Sequence, residues 1–169
     1  LSNRVRSTFF NTRDIPVLGP SSRNHETQTI LAPDGTNVVA VFHTEQTPAG
    51  DGVADWKEIT GTLSAGGRRF NVPSLHYLIA DPRIVVVPVD TATANAFGSK
   101  IYSLAQEPFK WSEAVLIKRG GEDYGEIEFR LDPTTPGYVK MNSSILGRLA
   151  GRFSPAAGDL VFSKTGALL

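Results

Sequence analysis

The sequence contains no cysteine, and this absence excludes disulfide bonds, thiolate nucleophiles and Cys-ligated zinc or iron–sulfur sites. It also lacks a surplus of charge of either sign, because 17 basic and 17 acidic side chains give a formal net charge of +0. A dedicated binder of nucleic acid or of an anionic membrane surface needs a basic surplus. We therefore expect no nucleic-acid partner.

Long apolar runs are missing as well. The longest, Ile84–Val87, is followed by Pro88 and falls far short of the roughly 18 residues that a membrane span requires. The first four residues include no Met and no apolar core of a signal peptide. The sequence therefore predicts no membrane span, and we expect the chain to be a processed product or an excised piece.

Side chains that bind metals are scattered along the sequence. The three histidines, His25, His43 and His76, form no His-x-x-x-His or His-Glu-x-x-His pattern. The glycines at 66 and 67 precede no predicted helix, so they are typical of a hairpin and not of a phosphate loop. We expect neither a metal nor a cofactor.

What the sequence does contain is a series of short runs rich in Val, Ile and Thr, separated by Gly, Pro, Asp and Asn. Such runs are typical of β-strands, and helical periodicity is poor throughout, the best candidate being Ser144–Ala150. The sequence therefore predicts an all-β sandwich or barrel. The predicted strands are Glu26–Leu31, Asn37–His43, Glu58–Leu63, Arg69–Val72, Leu75–Ala80, Ile84–Val89, Ala114–Lys118, Glu126–Leu131, Tyr138–Asn142, Asp159–Ser163 and Ala167–Leu169.

The strand rhythm is interrupted between residues 91 and 108, where Ala and small polar residues are more frequent. We therefore predict a first β unit over residues 26–95, a connector over 96–108 and a second β unit over 109–169. Residues 1–25 carry four arginines and show no clear period, so we predict an N-terminal arm or loop there.

Two segments are candidates for a functional site. His43 ends the apolar run that begins at Asn37, and a side chain at the exit of a buried strand is held by the scaffold and can reach a cleft. The small residues of the Ser154–Gly158 loop would let backbone N–H groups approach a ligand closely, although a tight hairpin entry has the same composition.

Four segments together resemble landmark regions of the trypsin-like (chymotrypsin-fold) serine peptidases, especially the cysteine-free Deg-type bacterial branch. Val38–His43 is similar to the family's Val-Leu-Thr-Ala-Ala-His, and Thr62–Phe70 to its Asp-Gly-Arg hairpin. Ala80–Asp90 is similar to Asp-Pro-Arg-x-Asp-Leu-Ala-Val-Leu, and Ser154–Val161 occupies the frame of Gly-x-Ser-Gly-x-Pro-Leu-Val. The resemblance implies two small antiparallel β-barrels with the site in the cleft between them. The fold of that family normally continues with further strands after the position of Leu169, so the resemblance implies either an incomplete second barrel or an unusually small domain.

The resemblance implies acyl transfer by a histidine, an aspartate and a serine in that chain order. His43 matches the family's histidine, whereas the aspartate position falls nearest Arg83, with Asp81 as the only close carboxylate. The nucleophile position falls on Ala156, which has no hydroxyl. Loss of a triad nucleophile costs on the order of 10⁶ in turnover.

The resemblance therefore implies a peptidase homologue that is inactive as written, either a pseudoenzyme or a Ser-to-Ala variant. In the second case Ala156→Ser alone should restore reaction with a fluorophosphonate probe. The surrounding residues Ser154, Pro155, Ala157 and Gly158 would form the oxyanion and substrate-binding loop. The implied partner is a peptide or protein substrate, and the family favours a secreted or cell-envelope location.

Two alternatives remain open at this point. A non-enzymatic β-rich module that binds carbohydrate or protein is favoured by aromatic residues near predicted loops, namely Trp56, Tyr102, Phe109, Trp111 and Tyr124. A coat-like jelly roll is favoured only by the basic N-terminal arm.

Overall fold

The structure is a computed structural model that describes residues 5–50, 58–119, 121, 123–143 and 154–169. Within these residues it contains two antiparallel sheets and a single short α-helix, which confirms the all-β prediction. The chain divides into two compact units, Leu1–Ile101 and Tyr102–Leu169. The boundary falls inside residues 96–108, the predicted connector.

The first unit contains a seven-stranded sheet with the strand order β5-β4-β1-β2-β3-β7-β6, in which every pair is antiparallel. Two 3₁₀ turns, Thr44–Gln46 and Pro48–Gly50, follow β3. The strands are β1 (Val5–Ile15), β2 (Gly19–Asp34), β3 (Asn37–His43), β4 (Glu58–Ala65), β5 (Arg68–Asn71), β6 (His76–Tyr77) and β7 (Ile84–Val89).

Both edges of this sheet come from one chain segment, residues 68–77. Its first part pairs with β4 and its last part pairs with β7. The five steps from Asn71 to His76 span at most about 18 Å. The outer strands of a flat seven-stranded sheet would lie about 29 Å apart, at about 4.8 Å per strand. The sheet must therefore curl strongly, although no ladder in the described residues joins β5 to β6 and closes it.

The core of the first unit is built from alternate residues of its strands, as the period of two in a strand requires. The inward residues include Val38, Ala40 and Phe42 of β3 and Val85, Val87 and Val89 of β7. Phe9 of β1 packs on Phe42 with ring centroids 5.4 Å apart. Opposite Phe9 stands Gly61, where an added Cβ would lie 2.7 Å from the ring of Phe9.

Residues 5–25, for which we predicted an arm or loop, form β1 and the first part of β2. β1 lies in the interior of the sheet, between β2 and β4. The strand period is hidden in the sequence because several inward residues of this hairpin are polar. Ser7, Asn11, Thr27 and Thr29 are all buried, and the hydroxyls of Ser7 and Thr29 share a hydrogen bond.

The helix α1 (Thr91–Phe97) lies where the strand rhythm of the sequence is interrupted, at the end of the predicted first β unit and the start of the predicted connector. Asp90 caps its N-terminus by accepting the Thr93 N–H at 2.8 Å, and Gly98 ends it in the left-handed conformation. Ala94 and Phe97 are its only buried residues. Seven residues with two inward positions are too few to show helical periodicity. The capping residues Asp90 and Gly98 are therefore the only local sequence signal for this helix.

The second unit contains a four-stranded antiparallel sheet with the order β10-β9-β8-β11. Its strands are β8 (Glu113–Ile117), β9 (Tyr124–Leu131), β10 (Val139–Ser143) and β11 (Leu160–Phe162). The core consists of Ala114, Leu116, Ile127 and Phe129. The strand predicted at Ala167–Leu169 is reduced to bridges at Leu168, and the predicted helix at 144–150 lies outside the described residues.

Candidate functional site

His43 is the last residue of β3 and stands opposite Ile84, the first residue of β7. The chain leaves the strand through a 3₁₀ turn, and the N–H of Thr44 donates to the carbonyl oxygen of Arg83 at 2.8 Å. Backbone pairing with the start of β7 therefore fixes the backbone at residue 43. Asp81 and Arg83 immediately precede β7, so the same strand ends bring them close to His43.

The imidazole of His43 caps the 3₁₀ turn. Its Nδ1 accepts the backbone N–H of Glu45 at 3.1 Å. A ring nitrogen that accepts a hydrogen bond carries no proton, so the neutral ring has its proton on Nε2. In an acyl-transfer triad the arrangement is the reverse: Nδ1–H donates to a carboxylate and the bare Nε2 takes the proton of the nucleophile. As placed here, neutral His43 offers no basic Nε2.

Asp81 is held by Arg83. The guanidinium donates from Nε to Oδ1 at 2.9 Å and from Nη2 to Oδ2 at 2.8 Å, and the backbone N–H of Arg83 donates to Oδ1 at 3.1 Å. These hydrogen bonds lower the pKa of Asp81 from 3.8 to about 2, and the nearby imidazole of His43 makes a smaller contribution in the same direction. Both carboxylate oxygens are thus engaged by Arg83, and no hydrogen bond joins Asp81 to His43 in the described structure.

The Ser154–Gly158 loop is closed by a side chain that the sequence analysis did not select, Asp159. Its carboxylate is 3% exposed and accepts the N–H of Ala156 at 2.9 Å and the N–H of Arg119 at 3.0 Å. Lys118 pairs with the same carboxylate and also donates to the carbonyl oxygen of Ser154 at 3.0 Å. The buried charge is therefore compensated by one cation and two backbone donors.

Backbone conformation completes this closed loop. The N–H of Asp159 donates back to the carbonyl oxygen of Ala156 at 3.1 Å, which makes residues 156–159 a β-turn. Gly158 occupies the third position of the turn with a φ of +83°, a conformation that L side chains rarely adopt. Pro155 has no N–H to offer a ligand.

The contact between Asp159 and the N–H of Ala156 bears on acyl transfer. In that mechanism the N–H of the nucleophile residue is one of the two donors to the developing oxyanion. The N–H at the corresponding position, Ala156, is occupied by the Asp159 carboxylate. A negative charge therefore already lies where a new one would have to be stabilised.

Sequence reasoning selected His43, Asp81 and the Ser154–Gly158 loop, and it missed the two residues that close that loop. Asp159 stands where the motif of the resembled peptidases has proline, and this difference was visible in the sequence. Lys118 is 41 residues away in the chain, and nothing in the sequence pairs it with Asp159. His43, Asp81 and Arg83 belong to the first unit, and residues 154–159 with Lys118 belong to the second.

The aromatic residues of the alternative interpretation have different environments. Tyr124 is 72% exposed and Trp111 is 52% exposed. Phe109 stacks on Phe129 with centroids 5.5 Å apart, and Tyr102 packs on Phe162 at 4.9 Å. Trp56 lies outside the described residues.

Among the described residues no group of three His, Cys, Asp or Glu side chains could hold a metal ion, and no helix is long and apolar enough to cross a membrane. No protein-family model matches the chain, and no curated protein matches it.

Proposed function

We propose that this chain is a homologue of the trypsin-like serine peptidases that binds an extended peptide and does not hydrolyse it. The observation that carries the proposal is the placement of His43 at the end of β3, opposite Ile84 and near Asp81 and Arg83, which precede β7. The family's chemistry needs its histidine and its acidic residue together. The neighbouring ends of β3 and β7, which carry His43 and follow Asp81, support the proposal.

The two-barrel organisation of that family is part of the proposal. In the first unit it is supported by residues 68–77, which supply both edges of the sheet. Closing a barrel requires its two outer strands to meet, and a link of four residues between β5 and β6 favours that geometry. The second sheet, with four described strands, is proposed to belong to the second barrel.

Three features of the described residues support the absence of hydrolysis. Ala156 has no nucleophilic atom, Nδ1 of His43 accepts a hydrogen bond instead of donating one, and the N–H of Ala156 is occupied by Asp159. Each feature removes a different component of acyl transfer: the nucleophile, the oriented base and an oxyanion donor. The proposed partner is a peptide that adds to a sheet edge through main-chain hydrogen bonds.

The test restores the family's residues together. A variant with Ser154→Gly, Ala156→Ser, Ala157→Gly, Asp159→Pro and Arg83→Asp is treated with a fluorophosphonate probe and with a peptide ester. We expect labelling at position 156 and ester hydrolysis in this variant, and neither reaction in the unsubstituted chain. The matched control carries the same five changes together with His43→Ala, which removes the base. If the folded five-residue variant reacts no faster than this control, the proposal is wrong.

The second candidate function is a non-enzymatic module that binds carbohydrate. It is favoured by the exposure of Trp111 and Tyr124, since exposed aromatic rings can stack on sugars. Polysaccharide pull-down experiments distinguish the two candidates. Retention that Trp111→Ala abolishes and His43→Ala leaves unchanged would favour the carbohydrate-binding module.

A further inference from the structure

A cavity of about 360 Å³ lies beside the hairpin that joins β4 and β5 in the first unit. It is lined mainly by arginine side chains and by the glycines of the turn. The lining residues include Arg6, Ser64, Gly66, Gly67, Arg68 and Arg69.

Strand register places two of the arginines around one hydroxyl. Arg6 of β1 stands opposite Ser64 of β4, and Ser64 stands opposite Arg69 of β5. Residues directly opposite in antiparallel strands share a face of the sheet, and neighbouring strands lie about 4.8 Å apart. The Cα atoms of Arg6 and Arg69 are therefore about 10 Å apart across Ser64, within the combined reach of two guanidinium side chains.

The turn contributes backbone donors. Gly66 and Gly67 connect the paired residues Ala65 and Arg68, with φ angles of 57° and 75°. Positive φ at both central residues is typical of the tight turns of two-residue hairpins and explains the two glycines. In the described structure the N–H groups of Gly66 and Gly67 donate to no other group, so they are available to a ligand.

The charge around the cavity is unbalanced. Arg6 pairs with Glu26 at 2.8 Å, and both side chains are more than half exposed. Arg68 and Arg69 have no acidic partner among the described residues. Two uncompensated guanidinium groups therefore border the cavity. The planar guanidinium fork matches the oxygens of a phosphate group and binds them with two parallel hydrogen bonds.

We propose that this cavity binds a phosphate group, with Arg69 and Arg6, which share the face of Ser64, as its side-chain ligands and Gly66 and Gly67 as backbone donors. Its volume lies at the lower end of the roughly 300–1,000 Å³ typical of small-molecule sites. The phosphate is either the free ion or part of a small phosphorylated molecule. Glu26 competes with it for Arg6.

The experiment titrates the full chain with inorganic phosphate and, separately, with inorganic pyrophosphate. Chloride keeps the ionic strength constant, and the amide signals of Ser64, Gly66 and Gly67 are followed by NMR. We expect the chemical shifts of these amides to saturate as the concentration of the probe rises. Arg69→Gln should weaken binding about tenfold, because it removes charge-assisted hydrogen bonds. Arg68→Gln should weaken binding less, because Arg68 stands opposite Ala65 and its side chain lies on the other face of the sheet. Glu26→Gln should tighten binding, because it releases Arg6.

The matched control is Arg130→Gln, which removes an exposed strand arginine of the second unit and should leave the affinity unchanged. If pyrophosphate binds more tightly than phosphate, the ligand is a phosphorylated molecule. If the two probes bind equally, the ligand is the free ion. Chemical shifts that change linearly with the concentration of both probes overturn the proposal. A loss of affinity in Arg130→Gln as large as that in Arg69→Gln overturns it as well. If an arginine variant fails to fold, Glu26→Gln still decides, since unchanged or weaker binding contradicts the site.

Discussion

The carboxylate of Asp159 accepts the backbone N–H of Ala156 at 2.9 Å. This contact occupies the donor that an acyl-transfer site would direct at its oxyanion. It also explains why Ala156→Ser alone, which the sequence suggested as a sufficient restoration, should fail. A serine at position 156 would still have a charged neighbour on its N–H. In the first unit, Nδ1 of His43 would still accept the Glu45 N–H.

The buried ion pair of Asp159 should be important for stability. Asp159→Asn leaves Lys118 without its anion and weakens the acceptor of two backbone N–H groups. Breaking a buried pair costs roughly 3–5 kcal/mol. Because Lys118 is 25% exposed and can rehydrate, we expect a loss of about 2 kcal/mol. Urea unfolding measures it, with Asp123→Asn as an exposed control. Equal stabilities of the two variants would contradict the role of Asp159.

The ion pair between Asp81 and Arg83 should be visible in a pH titration. The pKa of Asp81 is about 2 in the folded chain and 3.8 as the ordinary value, so this group favours folding above pH 4. That contribution disappears as the pH falls from about 4 to about 2. In Arg83→Gln we expect the pKa of Asp81 to return toward 3.8, as measured by NMR of the side-chain carboxyl.

Asp132 provides an internal control for the same titration. Its pKa is also lowered, but by hydrogen bonds from Thr134, so Arg83→Gln should leave it unchanged. A pKa of Asp81 that stays near 2 without Arg83 would show that another group holds the carboxylate.

The tautomer of His43 can be observed directly. We expect the ¹⁵N spectrum above pH 7 to show an unprotonated Nδ1 and a protonated Nε2, because Nδ1 accepts the N–H of Glu45. Glu45→Pro removes that N–H and should reduce the preference. His76, whose Nε2 lies 3.0 Å from the Ser74 hydroxyl, serves as a reference within the same spectrum. A protonated Nδ1 in the natural chain would refute this assignment.

Gly61 should tolerate no larger residue. An added Cβ would meet the ring of Phe9, which is 1% exposed and packed on Phe42. Overpacking of this kind costs roughly 1–3 kcal/mol. Thermal or urea unfolding of Gly61→Ala should show the loss, and the double variant with Phe9→Leu should recover part of it. Additive effects of the two substitutions would mean that the side chains do not clash.

Several strands were predictable because burial on one face produces an alternating pattern. Asn37–His43 and Ile84–Val89 were predicted with the bounds that the structure shows. β1 and the first part of β2 were not predicted, because Ser7 and Asn11 occupy inward positions and break the alternation. Burial of polar residues depends on neighbours from distant strands, and a local pattern cannot reveal it.

The sequence by itself determined the β-rich class, the absence of thiol chemistry, the position of His43 at a strand end and the lack of a nucleophile at position 156. These properties depend on composition and on short periods along the chain. Only the tertiary structure decided which groups the candidate residues contact. Arg83 takes both oxygens of Asp81, Glu45 takes Nδ1 of His43, and Lys118 meets Asp159 from 41 residues away. Hydrogen bonds act over about 3 Å, so their partners are set by how strand ends and loops come together in space.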